Sequence, residues 1–139
     1  MIPDFNKYGY LNRGIYQASL DEIEKRFGCD SLNRCELFKK LQSVIKLLLK
    51  HKGDIIKFLI NGSFVTDKEE PGDIDCILLI KDSFDFNSKE ATQLKDAKKL
   101  FNIHLFIHTE SDYAYHQRRI SFFGHDRNKI PKGLVEVIL

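Results

Sequence analysis

The apolar positions of this chain change period several times, and each change marks an element. Leu37, Leu41, Val44, Ile45 and Leu48 recur at three and four, the spacing of a helix with one buried face. Ser31 or Asp30 stands ready to cap that helix, which is predicted to reach Lys52, with Gly53 as its stop. Before it, Ser19-Leu20-Asp21-Glu22 has the form of a capping box and starts a short helix ending near Gly28. The pattern then changes to continuous apolar runs, at Ile55–Ile60 and within Asp73–Ile80, which predict two buried strands. Ser88-Lys89-Glu90-Ala91 opens a second long helix through about Phe101, with Leu94, Ala97 and Leu100 or Phe101 facing inward. Asn102–Thr109 alternates as a third strand, and residues 111–118 form a short helical turn. Arg119–Phe123 and Leu134–Leu139 are expected as closing strands around a polar loop, Gly124–Gly133. Residues 1–18 have no period and are expected as an ordered arm. The resulting order predicts an α+β fold, a mixed β-sheet with helices packed on one face, in a single domain over 1–139.

Composition narrows this only a little. The 139 residues are 42% hydrophobic and 30% charged, as in ordinary globular domains. A net charge of +2 is too small to imply nucleic-acid binding by itself. No apolar run approaches the roughly 18 residues a membrane helix needs, and the first residues lack a signal-peptide core. Cys29, Cys35 and Cys76 form no metal-ligand spacing, and an odd count without a framework points to a reducing cytoplasm.

The chemistry concentrates in Leu59–Ile80, LINGSFVTDKEEPGDIDCILLI. A Gly62-Ser63 turn closes one apolar run, and Asp73 and Asp75 stand at the mouth of the next. Carboxylates at i and i+2 of an extended segment share a face. Unpaired charge at the entrance of a buried strand is costly, and Mg2+ offsets that cost by binding hard carboxylate oxygens. The Gly-Ser turn offers close backbone approach, N–H groups and a hydroxyl to a phosphate. Together these residues suit a metal–nucleoside triphosphate.

Gly62-Ser63, nine intervening residues and Asp73-x-Asp75 before an apolar strand resemble the signature of the DNA polymerase beta-like nucleotidyltransferase superfamily, in particular its minimal members. The wording GSFVTDKEEPGDID, the Pro-containing arm Ile2–Ile15, and the segments Phe122–Arg127 and Lys132–Val135 are similar to short bacterial nucleotidyltransferase-like proteins of unassigned function. The resemblance implies transfer of a nucleoside monophosphate from an NTP, with ATP the expected donor, to a hydroxyl of a protein or RNA. It implies Mg2+ on Asp73 and Asp75, phosphate contacts from Gly62 and Ser63, and a toxin or phage-defence subunit as partner. No membrane association is expected.

The superfamily places a third carboxylate on the strand after the second long helix. Here Asn102–His108 carries none, and His104 stands where the acid is expected. Three arrangements remain open: Glu110 or Asp112 reaches in, His104 acts as proton acceptor, or the fold binds without catalysis. The last is the alternative function, a degenerate nucleotidyltransferase-like antitoxin or complex subunit that recognises a partner. Strand parity predicts His104 on the same face as Asp73 and Asp75, opposite Ile103, Leu105 and Ile107. In the basic stretch from His116 to Lys132, Arg127 is the expected nucleotide-binding residue. Phe64 is a candidate for lining the nucleotide pocket, and Lys68 reads as a solvated loop charge.

Overall fold

The computed structural model describes residues 1–139. Its centre is made by the two continuous apolar runs, which become β2 (Ile55–Asn61) and β3 (Ile74–Ile80) and pair antiparallel. β4 (Ile103–Thr109) adds to β3 in parallel. On the other side β5 (Leu134–Val137) pairs antiparallel with β2, and β1 (Ile15–Ala18) pairs parallel with β5. The sheet order is β1-β5-β2-β3-β4.

The strand parity of β3 divides the molecule. Ile74, Cys76, Leu78 and Ile80 enter the main core, while Asp75 and Ile77 point to the opposite face. Against the main-core face lie α1 (Leu20–Phe27), α2 (Leu32–Leu49), α3 (Lys89–Lys95) and α4 (Ala97–Phe101). They contribute Ile23, Phe27, Leu37, Leu41, Leu48, Ala91 and Ala97 to a 25-residue buried cluster. The Ser19–Glu22 capping box forms as its sequence requires, and the Ser31 side chain caps α2. The second long helix is interrupted at Asp96, whose ψ of 19° leaves the helical range, and Asn102 stops α4 in the left-handed region at φ 54°.

The expectation that all helices share one face is corrected here. Residues 113–123 form one helix, α5 (Tyr113–Phe123), so Arg119–Phe123 is not a strand and the turn predicted at 111–118 is most of a longer helix. Tyr113, His116, Ile120 and Phe123 recur at three and four, and this period outweighs the strand preference of the Phe122-Phe123 pair. Ile120 and Phe123 pack on Leu59, Ile77 and Leu134, so α5 covers part of the second face. The other correction is in the arm, whose end is the edge strand β1. Earlier in the arm, Tyr10 bridges Thr66, and the Gly9 carbonyl accepts the Asp67 N–H at 2.9 Å. The arm is thereby fastened to the loop between β2 and β3.

A candidate nucleotide site at the end of the sheet

Three polar side chains line up across adjacent strands at one end of the sheet. The register pairs Asn61 of β2 with Asp75 of β3 and Asp75 with His104 of β4. All three alternate with core residues, Ile60, Ile74 and Ile103, so they share the α5 face. His104 Nδ1 lies 3.4 Å from Asp75 Oδ1. Its ring rests on Phe106 at 4.2 Å between centroids, and the side chain is about half exposed.

Gly62 and Asp75 are fitted to each other. Gly62 has φ 76°, and a Cβ there would stand 2.2 Å from Asp75 Oδ2. Any side chain at 62 would therefore collide with the carboxylate as well as strain the backbone. The turn from Gly62 to Val65 is one short 3-10 segment with Ser63 half-buried on it. This brings the Gly-Ser turn and the second acid of the Asp-x-Asp pair into direct contact.

Burial, followed by the charge of Asp73, pushes the Asp75 carboxyl above its ordinary pKa, while His104, Lys98 and Lys132 pull it down. Asp73 precedes β3 and its Oδ2 accepts from Lys98 Nζ at 2.5 Å. Lys98, on α4, is thus a member of the site that sequence reading missed, because α4 is remote in the chain. Lys132 is another. Its ammonium is held below the usual lysine range by burial, against the opposing charges of Asp126 and Asp75, and it lies over the Tyr10 ring at 5.1 Å. Arg127, the residue expected from this loop, is exposed at its tip, and the loop sends Lys132 toward the acids.

The remaining candidates separate cleanly. Glu110 accepts from the Asp82 N–H at 3.1 Å and Asp112 from Thr109, both beyond the far end of β4. Six residue steps, about 20 Å of strand, divide Glu110 from His104, so neither acid reaches the site. Phe64 is fully buried, packed at 6.0 Å on Phe27, and does not line a pocket. Lys68 takes part through its carbonyl rather than its charge. Arg34, 4% exposed, donates from Nη1 to the carbonyls of Phe27 (3.0 Å) and Phe64 (2.7 Å). Its Nη2 donates to those of Thr66 (2.8 Å) and Lys68 (2.6 Å). This one guanidinium gathers the loop that follows the Gly-Ser turn. The sequence signal for it was a charge among the inward positions at the start of α2.

No three His, Cys, Asp or Glu side chains converge so as to hold a metal ion by themselves. Asp73 and Asp75 are two hard oxygen donors of the kind Mg2+ takes, and the Asp73 carboxylate is paired with Lys98. They do not suit a second ion, for which the protein would have to supply a third acid.

These features define a mixed α+β protein with a glycine turn set against an acidic strand entrance. The chain belongs to the family described as a family of unknown function (DUF6932), whose profile matches residues 3–138. No curated protein matches it, and no solved structure does.

Proposed function

We propose that this protein is a nucleotidyltransferase that moves a nucleoside monophosphate from a Mg2+-bound NTP, ATP being the expected donor, to a hydroxyl of a protein or RNA. The single observation carrying this reading is the contact between Gly62 and Asp75, in which a phosphate-suited turn and a metal-suited acid are built as one unit. In this reading Gly62 and Ser63 hold the terminal phosphates, and Asp73 and Asp75 hold the metal. Bound there, Mg2+ supplies charge neutralisation of the phosphates. The acceptor oxygen attacks the α-phosphorus, the bond to the bridging oxygen breaks, and pyrophosphate leaves. His104 takes the acceptor's proton at Nε2, with Nδ1 facing Asp75 at 3.4 Å. Beyond His104, Arg119 stacks 4.0 Å from the Phe106 centroid, and Tyr115 and Phe122 are exposed. That surface offers a docked macromolecule both aromatic and cationic contacts. A cytoplasmic setting with a toxin or defence subunit as partner belongs to the same proposal. No helix is long and apolar enough to cross a membrane.

A second reading is supported by one observation, the absence of a third acid beside Asp75. A site of this kind could bind Mg2+ and nucleotide and serve only for partner recognition. The two readings part on transfer. With α-phosphate-labelled ATP, Mg2+ and cell extract, an active enzyme labels a discrete species, and His104→Ala lowers the labelling about 100-fold or more. Nucleotide binding with no labelled species would leave the binding role; labelling unaffected by Asp73→Ala with Asp75→Ala would mean that another protein supplies the chemistry and would refute the transfer reading.

A further inference from the structure

The outward side of α5 is left to solvent. Tyr115, Arg118, Arg119 and Phe122 follow one another at three, four and seven, which sets them in a single stripe along the helix. Tyr115 is 60% and Phe122 71% exposed. With His108 of β4, the four line a cleft of about 330 Å³. The Arg118 guanidinium lies 5.5 Å from the Tyr115 centroid. No residue of α5 is acidic, and Asp112, whose charge is felt at His108, stands before the helix. Burial and the charge of Arg119 hold His108 below its ordinary pKa, so at neutral pH it contributes an uncharged ring.

The stripe leads to His104. His116 lies against His108, and Phe123 against Phe106, so α5 runs back along β4 toward the start of that strand. The rings form a continuous series, with centroids 5.2 Å apart from Phe122 to Phe123, 5.5 Å from Phe123 to Phe106 and 4.2 Å from Phe106 to His104. Seven residues of helix, about 10 Å, separate Tyr115 from Phe122. Guanidiniums alone would attract any anion; here they alternate with exposed rings. Each nucleotide of a single strand carries one phosphate and one base with a free π-face, so a strand matches both members of the alternation. A duplex keeps its base faces stacked inside and offers only the phosphates.

Resting on the transfer reading above, we propose that the acceptor is the end of a single-stranded RNA, held on this stripe with bases on Tyr115 and Phe122 and phosphates on Arg118 and Arg119. Its terminal hydroxyl then meets His104. The hydroxyl oxygen bonds to the α-phosphorus, its proton passes to His104, and pyrophosphate leaves.

Docking is read first without nucleotide, by fluorescence anisotropy of a short unstructured RNA titrated with the full chain. Tyr115→Ala and Phe122→Ala remove exposed rings, so both should melt with wild type, and each is expected to weaken binding about fivefold or more. Arg118→Ala should lower the slope of log affinity against log salt by about 0.7. Lys40→Ala, exposed on α2 in the opposite layer, should change neither. Asp73→Asn with Asp75→Asn should bind the RNA within about twofold of wild type, which separates docking from the nucleotide site. Binding that survives both ring substitutions, or that is as tight for an RNA duplex of equal length, would overturn the docking face. Tighter binding of polyglutamate than of RNA would make the stripe a surface for an acidic protein and overturn the RNA. The same RNA is then supplied with Mg2+ and α-phosphate-labelled ATP, and wild type is expected to label its end. Docking intact with label passing to another species of cell extract, and none to the RNA, would overturn the acceptor assignment alone. Docking intact with no labelled species at all would overturn the transfer reading beneath it.

Discussion

At the scale of single residues, the second face of the sheet carries one buried imidazole. His116 is 1% exposed with both ring nitrogens unpaired, and its ring lies 5.9 Å from that of His108. Burial, then the charges of His108 and Lys57, push its pKa down to about 4. The native state therefore holds His116 neutral, while the unfolded chain protonates it near pH 6.5. Its contribution to stability is present above pH 6.5 and is lost as pH falls from there toward 4. Denaturant titrations across that range should show wild type losing on the order of 3 kcal/mol relative to His116→Phe. Curves that run parallel between pH 7 and 4 would show that His116 takes up its proton as readily in the native state as in the unfolded chain. The sequence placed His116 in a short helical turn at the start of a basic stretch; its burial follows from α5 extending further than the local composition suggested. His104 was different, because strand parity alone put it beside Asp75.

At the scale of elements, the loop from Gly62 to Asp73 owes its shape to α2. Arg34 satisfies four carbonyls at once, three of them in or beside the motif loop, and its guanidinium lies 5.4 Å from the Phe64 ring. Removing it takes their donor from the buried carbonyls of Phe27, Phe64 and Thr66. Arg34→Ala is expected to cost several kcal/mol, at ~1–3 kcal/mol for each buried acceptor left unpaired, read as a lower denaturant midpoint. Arg34→Lys should recover little of this, since an ammonium cannot reproduce the planar fork. A loss under 1 kcal/mol for Arg34→Ala would mean that the loop is held by the arm instead. The strands β2 and β3 were legible because each is an apolar run with turn residues at its ends, and β4 because its positions alternate. The helix α5 was harder to read, because its inward positions mix Tyr, His, Ile and Phe, and neighbouring Phe122 and Phe123 favour a strand locally. The break at Asp96 follows from packing, since nothing in Lys95-Asp96-Ala97 forbids a helix.

At the scale of the molecule, the arm and the C-terminal segment enclose the site from one side. Tyr10 donates its hydroxyl to Asp126 at 2.8 Å, the Gly133 N–H reaches the Leu11 carbonyl at 2.9 Å, and a Cβ at Gly133 would meet Asn12 O at 2.5 Å. Both ends of the chain thus converge on the loop that presents Lys132, and β1 completes the sheet beside β5. A parallel pairing between positions more than a hundred residues apart leaves no local trace in either segment, so β1 could be read only as part of an ordered arm. The acids and the glycine turn, by contrast, are adjacent in sequence, and their chemistry could be named before their geometry was known. The central claim is that this corner binds a Mg2+–nucleotide through Asp73 and Asp75. The most direct test is the ATP affinity of the full chain with Mg2+ and with a chelator, for wild type and for Asp73→Asn with Asp75→Asn. Binding that needs Mg2+ and weakens at least tenfold in the double variant is the expected result; no binding, or equal binding by both proteins with and without the metal, would contradict it.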